Sequence, residues 1–286
     1  MALFREYDRK ALDAEYNNRA KVKDAMEWMA RYGAESARVR AELPMRFDVP
    51  YGPHHAERLD VFFPTTAAGP IAPVHVFVHG GYWHRLDKAD FSFVARAFPD
   101  AVTVVVNYAL VPSVDLDELV RQVRASVAWV HANARSFGGD PARITVSGHS
   151  AGGHLVAMLL ATEWSQLGAP ADVLKAGCGI SGLYDLEPIR LCYLNDVLQL
   201  SAESARRLSP VHLERAGEAP LVLAVGADEG PEYQRQTNDL ATAWGSRGAP
   251  IDVVDAAGHD HFSIVAELER PDTALARTIR RSMGLV

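Results

Sequence analysis

Eight short runs of aliphatic and β-branched residues recur along the chain: Met45 to Val49, Arg58 to Phe63, Val74 to Val78, Val102 to Val106, Ile144 to Val146, Ala176 to Ile180, Leu221 to Val225 and Ile251 to Val254. Runs of this length, bounded by Gly, Pro, Asp or Asn, read as β-strands. Several are apolar at every position rather than at alternate ones, the pattern of parallel strands covered on both faces. From the third run onward they alternate with segments of helical period. The clearest of these is Leu116 to Asn133, followed by Gly138-Gly139-Asp140-Pro141 as its stop and turn. The alternation predicts an eight-stranded, mostly parallel α/β sheet, doubly wound, with helices on both faces.

Two stretches stand outside that alternation. Residues 1 to about 43 are charged and free of proline, and carry Leu12, Tyr16, Val22, Met26 and Met29 at approximate helical spacing. They predict one or two amphipathic helices laid on the main domain. Asp185 to Leu213 contains Pro188 and Pro210 and no strand signal, which predicts a small cap-like insertion after the sixth strand, over the top of the sheet. No linker or internal repeat divides the chain, so a single domain spanning 1–286 is expected.

Composition narrows the class without changing the fold. A hydrophobic content of 48% and a charged content of 23% are ordinary for a globular enzyme. The net charge of -7, with no cluster of Lys and Arg, argues against a nucleic-acid partner. Two cysteines, Cys178 and Cys192, cannot build a disulfide framework and fit a reducing compartment. The opening residues are charged and lack an apolar core, and no stretch approaches the roughly 18 apolar residues of a membrane span. A cytoplasmic protein with no membrane partner is expected. The sequence does not fix an oligomeric state, and a homodimer is among the assemblies it allows.

The chemistry concentrates where the fifth strand run feeds Gly148-x-Ser150-x-Gly152. That pattern is the nucleophile elbow of α/β-hydrolases, in which a serine sits on a sharp strand-to-helix turn and its neighbours two residues away must lack side chains. Ala142 to Val146 supplies the strand and Ala151 to Thr162 the helix, so Ser150 is the candidate nucleophile. A serine hydroxyl needs a base, a carboxylate to orient the base, and donors for the developing oxyanion. Asp228, directly after the seventh strand run, is the expected acid, with Glu229 its competitor and Asp185 a less favoured substitute. The base belongs after the eighth strand, where Gly258-His259-Asp260-His261-Phe262 offers two histidines. His261 is preferred because it directly precedes the phenylalanine that opens the last helix, and His259 is the alternative. The turn His79-Gly80-Gly81-Tyr82-Trp83 after the third strand supplies the oxyanion hole, with the amides of Gly81, Tyr82 and Ala151 as donors and His79 bracing the loop. Tyr82, Trp83 and His149 are the candidate substrate contacts. The Trp83 ring, beside the hole, is placed either to stack on an aromatic substrate or to pack against the N-terminal helices.

Neither metal nor cofactor is called for. The histidine pairs His54-His55 and His259-x-His261 lack a His-Glu-x-x-His or cysteine-pair context, and no phosphate-cradling or dinucleotide glycine motif occurs.

Taken together, His79-Gly-Gly-Tyr-Trp83, Gly148-His-Ser-Ala-Gly-Gly-His-Leu155, Ser181-Gly-Leu-Tyr-Asp-Leu-Glu-Pro188, Glu232-Tyr-Gln-Arg-Gln-Thr237 and Asp260-His-Phe-Ser-Ile-Val265 resemble the kynurenine formamidase (arylformamidase) branch of the α/β-hydrolases. Leu12-Asp-Ala-Glu-Tyr-Asn-Asn-Arg19 is similar to the opening of bacterial proteins of that branch. The resemblance implies an α/β-hydrolase fold, a triad of Ser150, Asp228 and His261, no cofactor, and a small aryl formamide or ester as substrate, N-formylkynurenine being the named candidate. A general short-chain carboxylesterase is the alternative enzyme, and a non-catalytic ligand-binding α/β-hydrolase the alternative from another class.

Overall fold

Each apolar run forms a strand in the computed structural model, which describes residues 2–66, 71–246 and 250–285. The ends of the expected 1–286 domain, Met1 and Val286, therefore lie outside the described residues. The strands are β1 (Met45–Pro50), β2 (Arg58–Phe62), β3 (Ala72–Val78), β4 (Val102–Val106), β5 (Gly139–His149), β6 (Leu174–Ile180), β7 (Leu221–Gly226) and β8 (Ile251–Ala256). They make one sheet in the order β1-β2-β4-β3-β5-β6-β7-β8. β2 pairs antiparallel with both β1 and β4, and the six strands from β3 onward run parallel. This is the α/β-hydrolase architecture. β3, β4 and β7 are buried at every position, as strands covered on two faces must be, whereas the edge strands β1 and β8 are largely exposed.

β5 is longer than its apolar run suggests. Gly138, at φ 77°, makes the turn alone, and Gly139 already pairs with Ala72 of β3. A side chain at Gly139 would run into Val74, so the glycine read as a stop is what lets β5 begin against its neighbour.

The helices are α1 (Arg9–Glu15), α2 (Asn18–Lys21), α3 (Ala25–Glu42), α4 (Leu116–Asn133), α5 (Ala151–Leu160), α6 (Glu187–Leu191), α7 (Asn195–Leu198), α8 (Ala202–Arg207), α9 (Pro231–Gly245), α10 (Ser263–Ala266) and α11 (Ala274–Ser282). Because side chains alternate across a strand, β3 feeds two cores. Val76 and Val78 pack with Leu119 and Val123 of α4 and Leu155 and Leu159 of α5. Phe77, between them in sequence, points to the other face with Phe91, Phe93, and Leu275 and Ile279 of α11. No helix among the described residues is long and apolar enough to cross a membrane.

The N-terminal extension is three helices rather than one or two. α1 starts where the Asp8 carboxylate accepts from the Ala11 amide at 2.8 Å, and its Leu12 is fully buried. α3 lies on the 3₁₀ segment Lys88–Ala97: Tyr32 stacks on Phe93, ring centroids 5.2 Å apart, and Ser36 Oγ accepts from the Phe93 amide. Met26, assigned above to the apolar stripe, is 65% exposed and belongs to the solvent face.

Candidate active site

β5 ends at His149 and α5 begins at Ala151, leaving Ser150 alone in the turn with φ 57° and ψ −119°. A non-glycine residue in such a conformation costs on the order of 1–3 kcal/mol and persists only where its surroundings enforce it. Here the enforcement is close packing. A side chain at Gly148 would overlap the Gly152 backbone, and one at Gly152 would overlap the Val78 carbonyl of β3. The Ser150 amide donates to the Ile180 carbonyl of β6 at 2.8 Å, pinning the elbow. The residue is 3% exposed.

His261 Nε2 lies 3.1 Å from Ser150 Oγ, and its Nδ1 lies 2.7 Å from Glu229 Oε2. The acid beside the imidazole is therefore Glu229, and the expectation of Asp228 is corrected. The reason is the turn that ends β7. The Glu229 amide donates to the Gly226 carbonyl at 3.0 Å, closing a four-residue turn. Its two central residues, Ala227 and Asp228, project into solvent, and the fourth, Glu229, folds back beneath the strand end with its side chain only 1% exposed. The second Glu229 oxygen accepts from the Gly226 amide and from the Ser181 hydroxyl. Asp228 contributes its backbone, donating to the His259 carbonyl at 3.0 Å and so joining the acid turn to the histidine loop. Asp185 is engaged elsewhere, paired with Arg235 at 3.1 Å.

The histidine loop is held by Asp260, whose carboxylate accepts from the amides of Phe262 and Ser263. That cap turns His261 into the site. His259, two residues away, faces Glu267 at 3.4 Å. His149 lines the cavity and its Nε2–H donates to the His261 carbonyl at 2.8 Å. Burial, reinforced by the neighbouring His261, holds the His149 pKa well below the ordinary histidine value, so it stays neutral and props the loop.

The loop after β3 carries three consecutive residues of positive φ: Gly81 at 110°, Tyr82 at 50° and Trp83 at 61°. Gly80 must be bare, because a Cβ there would press on the His149 carbonyl and Ser150. Among the described residues, the amides of Gly81 and Tyr82 donate to no protein acceptor. Ala151, at the first position of α5, has no intrahelical acceptor and sits at the positive end of the helix dipole. His79 stands behind the loop, its Nδ1 2.7 Å from the Gly80 carbonyl and its ring stacked on Tyr108 at 4.3 Å.

Trp83 has no part in the cavity. It is fully buried, and its Nε1–H donates to His154 Nδ1 at 3.2 Å. That fixes the His154 proton on Nε2, which donates to the Leu208 carbonyl at 2.8 Å. The left-handed turn sends Tyr82 toward the cavity and Trp83 under it against α5, so the assignment of Trp83 as a substrate contact is corrected.

A cavity of about 270 Å³ opens above Ser150. Its walls are aromatic, with Tyr32, Tyr82, Phe91 and Phe262 among them, and Asn18 of α2 and Tyr193 of the insertion close it from above. Among the described residues, no group of three or more His, Cys, Asp or Glu is placed to hold a metal ion. Sequence reasoning missed Asn18, Ser181 and Tyr233. All three stand within or at the start of motifs that carry the family resemblance, and the Tyr233 ring packs 4.7 Å from that of His261. The arrangement can do nucleophilic acyl chemistry: a hydroxyl within reach of an imidazole, the imidazole on a buried carboxylate, and, among the residues lining the same cavity, two whose amides have no protein acceptor.

Residues 59–177, from β2 into β6, match the BD-FAE family model. The chain is 34% identical to the kynurenine formamidase of Danio rerio, over 88% of this chain and 86% of that protein. It is 33% identical to the kynurenine formamidase of Salmo salar, over 98% and 96% respectively. A solved structure from a Silicibacter species, provisionally described as a thioesterase, superposes with a TM-score of 0.83 at 30% identity, covering 94% of this chain and 98% of that one.

Proposed function

Because the chain belongs to the kynurenine formamidase family of α/β-hydrolases, we propose that it cleaves a small aryl formamide or ester, with N-formylkynurenine the named candidate, through an acyl-enzyme on Ser150. It is a hydrolase, and its substrates are of the ester or amide class. The observation that carries the finer reading is the continuous relay from Ser150 through His261 to Glu229 at the floor of an aromatic cavity.

In this mechanism Ser150 Oγ attacks the carbonyl carbon while its proton passes to His261 Nε2. The imidazolium that forms is stabilised by Glu229. The negative charge on the carbonyl oxygen meets the amides of Tyr82 and Ala151, with Gly81 beside them. Collapse of the tetrahedral intermediate breaks the bond to the amine or alcohol, which leaves with the proton from His261. Water, deprotonated by the same histidine, then attacks the acyl-serine, releasing the acid and restoring Ser150.

A cavity of about 270 Å³ also favours a second reading, a carboxylesterase for short acyl esters, since it has little room for a long chain. Hydrolysis of N-formylkynurenine compared with p-nitrophenyl acetate separates the two: the first reading requires the larger kcat/KM on the formamide. Ser150→Ala should lower kcat by about 10³- to 10⁶-fold and abolish fluorophosphonate labelling. Turnover close to that of the unaltered protein in this variant would remove Ser150 from the mechanism.

A further inference from the structure

The residue before the nucleophile holds a hydrogen-bond acceptor that the relay does not use. His149 is 4% exposed and lines the cavity. Its Nε2 lies 2.8 Å from the His261 carbonyl oxygen, an acceptor, so the ring proton sits on Nε2 and Nδ1 carries a bare lone pair. Among the described residues no donor reaches that Nδ1. Nor is it sealed in the core, as the unpartnered Nδ1 atoms of His75 and His84 are. It opens on the cavity that the residue lines.

The lone pair stands beside the reacting groups. The point that a Cβ on Gly80 would occupy lies 3.1 Å from Ser150 Cβ and 3.5 Å from His149 Nδ1, and the His149 ring is 4.7 Å from that of His261. Burial and the neighbouring His261 hold the ring neutral, so protonation does not fill Nδ1. Once a substrate seals the cavity, an acceptor left without a donor is costly, and the site is complementary to a ligand that brings an N–H to this place. An ester brings none: its bridging oxygen sets lone pairs against the lone pair of Nδ1. The nitrogen of a formamide carries one hydrogen.

We propose that His149 Nδ1 accepts the N–H of the scissile amide, so that His149 is the residue that selects formamides over esters. The inference rests on the serine-hydrolase reading above. Attack by Ser150 Oγ forms the new C–O bond and moves the carbonyl π electrons onto oxygen, and the nitrogen, no longer conjugated, becomes pyramidal. Its lone pair must then point at the proton on His261 Nε2, which requires its own hydrogen to point elsewhere. His149 Nδ1 receives that hydrogen without taking it. The proton that accompanies C–N cleavage comes from His261, and the amine leaves with both hydrogens. An ester oxygen has a second lone pair and no hydrogen, so it needs no such orientation. Because the contact is completed as the nitrogen turns, it acts on kcat more than on KM.

The test compares 4-nitroformanilide with 4-nitrophenyl acetate in the unaltered protein, in His149→Leu and in His149→Asn. Both variants lose the prop on the His261 carbonyl, a loss common to the two substrates. Asn keeps an acceptor, Oδ1, near the place of Nδ1, and Leu does not. His149→Leu should lower the formanilide-to-ester ratio of kcat/KM by about 10- to 100-fold, mostly through kcat, the range for a hydrogen bond lost so that a polar group is left unpaired. His149→Asn should restore much of that ratio. The ratio is read within one preparation, so a partly folded variant still reports it. Should neither variant fold, the unaltered protein decides: N-methyl-4-nitroformanilide, which has no N–H, should be cleaved at least about tenfold more slowly than 4-nitroformanilide. Equal losses on both substrates in His149→Leu, no recovery in His149→Asn, or equal rates on the two formanilides overturn the role of His149 while leaving the serine hydrolase intact. An unaltered protein that cleaves the ester and not the formanilide does the same. Failure of the unaltered protein to hydrolyse either substrate overturns the catalytic reading itself.

Discussion

Replacing Glu229 with Gln should lower kcat/KM on an aryl ester by about 10³- to 10⁴-fold, while Asp228→Asn should change it less than about threefold. The magnitude follows from where charge appears. When Ser150 gives up its proton, an imidazolium forms with its Nδ1–H 2.7 Å from Glu229 Oε2, on a side chain that is 1% exposed. Two unit charges about 4 Å apart attract by about 4 kcal/mol at an effective dielectric constant of 20, which is roughly a thousandfold in rate. Gln cannot replace the carboxylate by reorienting. Both Glu229 oxygens accept hydrogen bonds, one from His261 and the other from Gly226 and Ser181, so an amide NH₂ in either place meets a donor. The assay is kcat/KM for p-nitrophenyl acetate, with circular dichroism confirming the fold. Activity within tenfold of the unaltered protein for Glu229→Gln, or an equal loss in Asp228→Asn, would refute the argument from the β7 turn.

Two further outcomes follow from the same geometry. His261→Ala should lose activity about as severely as Ser150→Ala, while His259→Ala, which removes only a contact with Glu267, should keep a substantial fraction; kcat/KM for both on one ester decides, and the reverse ranking moves the base to His259. Burial pushes the His75 and His154 pKa values down to about 3 and about 4, whereas unfolded they take protons near pH 6.5. As pH falls from about 6.5 toward 4 the unfolded state gains protons that the native state refuses, so unfolding free energy should drop by up to about 1.4 kcal/mol per pH unit for each, and urea titrations giving the same stability at pH 6.5 and pH 5 would contradict it.

How far the sequence could be read depended on the range of the interactions involved. Strand positions and the elbow were legible because they are local: β-branched runs report burial on two faces, and Gly148 and Gly152 report a steric demand two residues from Ser150. Residues placed by turn geometry were legible only to within one position. Asp228 and Glu229 are adjacent carboxylates after the same strand, and only the hydrogen bond from the Glu229 amide to the Gly226 carbonyl decides which one folds inward. Tyr82 and Trp83 pose the same problem, since consecutive left-handed residues send one ring to the cavity and the other to the core, and no pattern in the residues around them says which.

The N-terminal helices show what a local reading cannot supply. Asn18 donates to the Tyr233 hydroxyl at 2.7 Å and to the Tyr82 hydroxyl at 3.2 Å, across 215 and 64 positions of chain. Tyr82 in turn donates to the Tyr16 carbonyl at 2.6 Å, so its single proton is committed. In the contact between the two phenols at 2.8 Å, Tyr233 must then be the donor. Every hydrogen in this network has one consistent assignment, and the network holds the side chain of Tyr82, which lines the same cavity as Ser150. The extension that reads as an amphipathic addition to the sheet is therefore part of the cavity's framework: it holds the Tyr82 side chain through the phenol and lines the cavity with Asn18 and Arg19.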